Sequence, residues 1–82
     1  MPTIIFEVVL KSTQEKDEHL KFEIYEREGV KYYVLVYPEE NLAKVFELIN
    51  GRYVKLIDAT DETLKFHLKN CSIDFDFSKI WQ

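Results

Sequence analysis

Apolar residues fall along the chain in short blocks separated by polar punctuation, and the spacing inside each block changes once. The first block, Ile4-Ile5-Phe6-Glu7-Val8-Val9-Leu10, is interrupted by a single carboxylate and is rich in β-branched side chains. Such a run over residues 3–10 predicts a buried strand. Ser12 and Glu15 then make an S-x-x-E capping box, in which the hydroxyl accepts from a first-turn amide and the glutamate reaches back. A helix is expected over residues 14–28, closed by Gly29 in a left-handed cap with Val30 as its hydrophobic contact.

Beyond Gly29 the period becomes that of strands. Lys31 to Tyr37 is the first, stopped by the turn Pro38-Glu39-Glu40-Asn41, and Leu42 to Ile49 is the second. Asn50-Gly51 is a strong type I′ hairpin signal, so Arg52 to Ile57 should return antiparallel. Asp58 to Glu62 reads as a polar loop. Residues 63–68 alternate again, and Ser72 to Phe77 sets Ile73, Phe75 and Phe77 against Asp74 and Asp76. A closing helical turn is expected at Ser78-Lys79-Ile80-Trp81. The fold class that follows is α+β: one main helix on a mostly antiparallel mixed sheet.

At 82 residues the chain is expected to form one domain, residues 1–82, burying roughly 60 to 65 % of its unfolded surface. Hydrophobic residues are 46 % and aromatics 15 %, with two Gly and two Pro, which suits a packed domain and not a disordered tail. No run approaches the ~18 apolar residues of a membrane span, and Met1-Pro2-Thr3 lacks a charged leader, so no membrane partner is expected and a cytoplasmic location is the default. The net charge of −4 argues against a nonspecific electrostatic grip on nucleic acid, although a metal can supply positive charge locally. Cys71 is the single cysteine and is expected to be a small half-buried residue without a disulfide.

Glu7 is the residue this pattern leaves unexplained. Burying an ionised carboxylate alone costs several kcal/mol or more, so it must be paired, metal-bound or at a sheet edge. On a helical projection with Leu20 at zero, Ile24 lies at about 40°, Lys21 at about 100°, Tyr25 at about 140° and Phe22 at about 200°. Lys21 therefore stands within the apolar arc and needs a carboxylate, for which Glu7 on the preceding strand is the candidate. Tyr25, one turn further, projects toward the same place. His19 and His67 lack ligand spacing, and Asp74 with Asp76 reads as a solvated strand face. The aromatics Tyr32, Tyr33, Tyr37, Phe46, Tyr53, Phe66, Phe75 and Trp81 follow the strand period and read as packing.

The series Glu7-Val8-Val9-Leu10-Lys11-Ser12-Thr13, then Asp17, Lys21, Tyr25, Gly29-Val30, Tyr33 and Tyr37-Pro38, resembles a restriction endonuclease family of the PD-(D/E)xK nuclease-like superfamily. The family motif runs E-V-L-S-P-S-T, D, K, Y, G-V, E-Y-W and D-P, and the spacing agrees without a gap from Glu7 to Pro38. Leu10 and Lys11 replace its Ser-Pro, Tyr32 and Val34 flank Tyr33 in place of Glu and Trp, and Tyr37 replaces Asp. The resemblance implies Glu7 as a ligand of a divalent metal, Mg²⁺ if active, with Lys21 orienting the attacking water or offsetting phosphate charge and Tyr25 supporting it. It corresponds to the family's C-terminal half, so a truncated core without the strand bearing the first catalytic acid is expected. Two functions follow: a metal-dependent DNA endonuclease that is inactive or dependent on another chain, or a non-enzymatic interaction or oligomerisation module. A homo-oligomer through an exposed sheet edge is the expected partnership; DNA is a partner only with a completed metal site.

Overall fold

In the computed structural model, which describes residues 3–10 and 14–81, β1 (Ile4–Val8) leads into α1 (Gln14–Glu28), followed by β2 (Tyr32–Tyr37), β3 (Leu42–Ile49), β4 (Arg52–Ala59), β5 (Thr63–His67) and β6 (Ser72–Asp76). Short 3₁₀ turns occupy Pro38–Glu40 and Phe77–Lys79. A four-stranded sheet runs in the order β1-β2-β3-β4, parallel between β1 and β2 and antiparallel thereafter. The expected α+β fold with a mostly antiparallel mixed sheet is therefore present. In addition, β5 and β6 form a separate two-stranded sheet.

The main sheet is covered on both faces, and β2 is the shared wall. Tyr33, Leu35 and Tyr37 face a cluster with Val9, Phe22 and Tyr25, which is the helix side. Tyr32 and Val34 face the opposite cluster with Ala43, Val45, Ala59, Phe66 and Phe77, which is the hairpin side. Alternation of side chains along a strand makes this two-sided use possible. The side chains of Tyr32, Tyr33, Val34 and Leu35 are all buried. Central, doubly covered strands read as continuous apolar runs for this reason.

The helix ends where Gly29 permits. Gly29 adopts φ +82°, its amide donates to the Glu26 carbonyl at 3.3 Å, and the Val30 amide donates to the Tyr25 carbonyl at 3.1 Å. This is a Schellman closure, and Val30 is buried as its hydrophobic contact. The capping box at Ser12 lies outside the described residues. At the hairpin, Asn50 (φ 52°) and Gly51 (φ 80°) form the left-handed pair of a type I′ turn.

Several expectations need correction. β1 is not a buried strand: it is an edge strand, with Phe6 42 % and Val8 62 % exposed. Leu20, at one end of the expected apolar arc of α1, is 59 % exposed, because Phe22 and Tyr25 carry the rings that reach the sheet. β4 continues through Asp58 to Ala59, which pairs with Ala43 and is fully buried under the hairpin cluster, so the polar loop is shorter than Asp58 to Glu62. Ile73 is exposed, whereas Phe75 and Phe77 pack inward. Cys71 is exposed, at the turn where the Leu68 amide donates to its carbonyl.

Candidate functional site

Strand alternation sends Glu7 to the helix face of β1, between Ile5 and Val9, and its backbone partner on β2 is Leu35. The helix delivers Lys21 and Tyr25, four positions apart and thus on one side of α1. Lys21 Nζ stands 3.1 Å from Glu7 Oε2. The Tyr25 hydroxyl donates to Glu7 Oε1 over a long 3.4 Å. The three residues singled out in the sequence are thus brought together, with both carboxylate oxygens engaged. The Glu7 side chain retains 23 % of its exposure and that of Lys21 41 %, so the pair opens to solvent at the β1 edge of the sheet.

An exposed pair of this kind stabilises little, on the order of 1 kcal/mol or less. Its location is more telling than its energy: a carboxylate and an ammonium lie on successive elements, next to a rigid aromatic floor. Tyr25 meets the Tyr33 ring edge-on at 5.2 Å, and Tyr33 stacks on Tyr53 at 5.8 Å. Phe22 closes the floor against Phe46 at 5.1 Å and Tyr53 at 5.2 Å.

Two contributors escape a reading of the sequence. The Glu26 carboxylate accepts from the Tyr53 amide at 2.8 Å, and the Tyr53 hydroxyl donates to the Val30 carbonyl at 2.7 Å. Burial, with the neighbouring Glu26 and Tyr25 adding to it, pushes the Tyr53 phenol up to about 12. These contacts link positions more than twenty residues apart, and no local spacing announces them; the glutamate on a helix turn looks like any solvated charge.

The other candidates lie elsewhere. His19 is exposed on α1, and His67 is exposed on β5. Asp74 and Asp76 sit on β6, in the hairpin that covers the sheet face opposite Glu7. Asp74 lies 3.9 Å from Lys65, and Asp76 accepts from the Ser78 hydroxyl and amide, whose hydrogen bonds hold its carboxyl below the usual range. Among the described residues no group of three or more His, Cys, Asp or Glu side chains is placed to hold a metal ion. A magnesium ion bound at a carboxylate such as Glu7 draws its further oxygen ligands from protein, water and phosphate. No described helix is long and apolar enough to cross a membrane.

The α+β fold, with its carboxylate and lysine set across the step from strand to helix, agrees with the restriction endonuclease-like class that the residue series resembles. The assignment is specific: the model of the Uma2 family, described as "Putative restriction endonuclease", matches residues 1–68, and the chain belongs to that family. No curated protein matches the chain.

Proposed function

We propose that this chain is a PD-(D/E)xK-type nuclease domain that keeps the carboxylate and lysine arm of a phosphodiesterase site and cleaves no DNA by itself. The observation that supports the reading is the meeting of Lys21 and Glu7 at 3.1 Å, with Tyr25 on the second carboxylate oxygen. Glu7 would be one metal ligand, and Lys21 the cation beside a scissile phosphate; another chain, or a different local acid, would supply the further carboxylate. Within the described residues the ligand set is incomplete, so no catalytic step is assigned to the isolated domain. Until such a partner arrives, Glu7 and Lys21 act as an ion pair that holds α1 against β1.

A non-enzymatic interaction module is the second reading, favoured by the exposed apolar side chains on edge strand β1. The two are separated by NMR titration with Mg²⁺ and then trace Mn²⁺, together with a plasmid nicking assay. The proposal expects no cleavage by the chain alone, with weak, selective paramagnetic broadening at Glu7 and Lys21. Cleavage that disappears in Glu7→Gln overturns the claim of inactivity. Absence of selective broadening at Glu7 overturns the retained arm and leaves the interaction module.

A further inference from the structure

Glu26 sits among charged neighbours on α1 but is placed differently from them. Glu23, Arg27 and Glu28 are exposed, whereas Glu26 is half-buried and its carboxylate accepts from the Tyr53 amide at 2.8 Å. That amide points away from the sheet. Ile49 and Arg52 flank the two-residue Asn50-Gly51 turn as a hydrogen-bonded pair, so the next pair, Leu48 with Tyr53, exchanges no bonds across the ladder. The Leu48 amide agrees with this, donating on its other side to the Lys31 carbonyl at 2.8 Å. The Tyr53 amide therefore looks outward from β4, and α1 is what meets it. The bond is charge-assisted and directional.

The helix is tied to two different strands of the sheet. On one side Lys21 and Tyr25 reach Glu7 on β1; on the other Phe22 and Glu26 reach Tyr53 on β4. Lys21 and Glu26 are five positions apart, about 140° around the helix, so the two ties leave α1 by different sides. A roll of the helix toward either side draws the other contact away. The apolar residues do not choose the roll by themselves. Leu20 and Phe22 lie about 200° apart, no single setting buries both, and Leu20 is 59 % exposed in the one observed. Phe22 meets Phe46 and Tyr53 edge-on at 5.1 and 5.2 Å, which fixes how deep the helix sits. Edge contacts between rings tolerate a range of separations and tilts, whereas a hydrogen bond weakens steeply as its angle opens.

We propose that Glu26 is a positioning residue for the candidate site: its bond to the Tyr53 amide sets the roll of α1, and through α1 it holds Lys21 and the Tyr25 hydroxyl on Glu7. Its use in function rests on the reading of Glu7 and Lys21 as the retained arm of a phosphodiesterase site. A support of this kind keeps such an arm in place before a phosphate arrives. The coupling between the two ties needs neither metal nor nucleic acid, and is read without them.

NMR of the full chain tests this through the nuclear Overhauser effect between the Lys21 ε and Glu7 γ protons. The effect should be present in the wild-type chain and in Glu26→Gln, whose amide oxygen still accepts, and lost in Glu26→Leu, a good helix former with no acceptor. Tyr53→Phe is the control for a merely structural role. It removes the hydroxyl bond to Val30 and lowers stability, yet keeps the backbone amide, so the effect should persist. Coupling between two contacts is reciprocal, so Lys21→Met, at a side chain 41 % exposed, should hasten hydrogen exchange of the Tyr53 amide severalfold. That measurement decides the matter even where Glu26→Leu does not fold. An effect that survives in folded Glu26→Leu, or that disappears equally in Tyr53→Phe, overturns the proposal, as does a Tyr53 amide that keeps its wild-type exchange rate in Lys21→Met. With these results as expected, absence of metal-induced broadening at Glu7 overturns the nuclease reading and leaves the positioning role standing.

Discussion

The hydroxyl of Tyr53 donates to the carbonyl of Val30 at 2.7 Å and fastens the exit of α1 to the outer strand β4. Val30 is buried, so its carbonyl has no ready replacement in water. Tyr53→Phe keeps the ring against Phe22 and Phe46 but strands this acceptor, and should cost about 1 to 3 kcal/mol. Urea denaturation followed by circular dichroism will read the loss as a lower midpoint with an unchanged slope.

The same phenol makes stability depend on alkaline pH. Its ordinary value is 10.0, and in the folded chain it rises to about 12, chiefly through burial, with Glu26 and Tyr25 adding to the shift. A raised folded value contributes stability that is complete below pH 10 and is lost as pH climbs toward 12, because the unfolded chain ionises first. Thermal midpoints measured across that window should fall for the wild-type chain. In Tyr53→Phe this component of the fall should be missing.

Asp76 behaves in the opposite sense. Hydrogen bonds from the Ser78 hydroxyl, and then from its amide, lower its carboxyl below 3.8, so their contribution is present above that value and fades as acid protonates the folded group. The Ser78 amide resonance should titrate below pH 3.8 in the native chain and lose that titration in Asp76→Asn.

Gly29 offers a substitution in which backbone strain acts without steric conflict. A methyl group there would meet no atom within 4 Å, yet φ is +82°. Gly29→Ala should therefore destabilise by about 1 to 2 kcal/mol, the cost of placing an alanine in the left-handed region. Equilibrium unfolding will show it, and the fold should be otherwise unaltered.

Phe66 is the ring on which the β5–β6 hairpin rests, 4.9 Å from Tyr32 and 6.3 Å from Phe6 between centroids, and almost wholly buried. Phe66→Ala should cost about 3 to 5 kcal/mol, a large share of the stability of a domain this small. Trp81 packs against the same cluster and donates to the Thr60 carbonyl, so its fluorescence reports the loosening directly.

The elements and the pairing at the site were legible because local signals carried them. Gly29 with Val30, Asn50 with Gly51 and the angular place of Lys21 are short-range facts, and each corresponds to an observed cap, turn or contact. What sequence could not show was coverage. Nothing in Ile4 to Leu10 distinguishes an edge strand from a central one, since that depends on which strands arrive on either side. Leu20 is more apolar than Lys21 yet lies outside the packed face, because the sheet selects rings that can reach Tyr33 and Tyr53. Ala59 looked like part of a polar loop because a small residue under a hairpin carries no signal of its own.

β2 divides its side chains between the two packed layers, with Tyr32 and Val34 committed to one and Tyr33 and Leu35 to the other. Inserting or deleting one residue within Tyr32–Tyr37 would transpose both sets at once and leave neither layer filled. Length changes should therefore be lethal to the fold in this strand and mild at the exposed turn around Cys71, so that tolerance to insertion, more than to substitution, maps where this architecture is rigid.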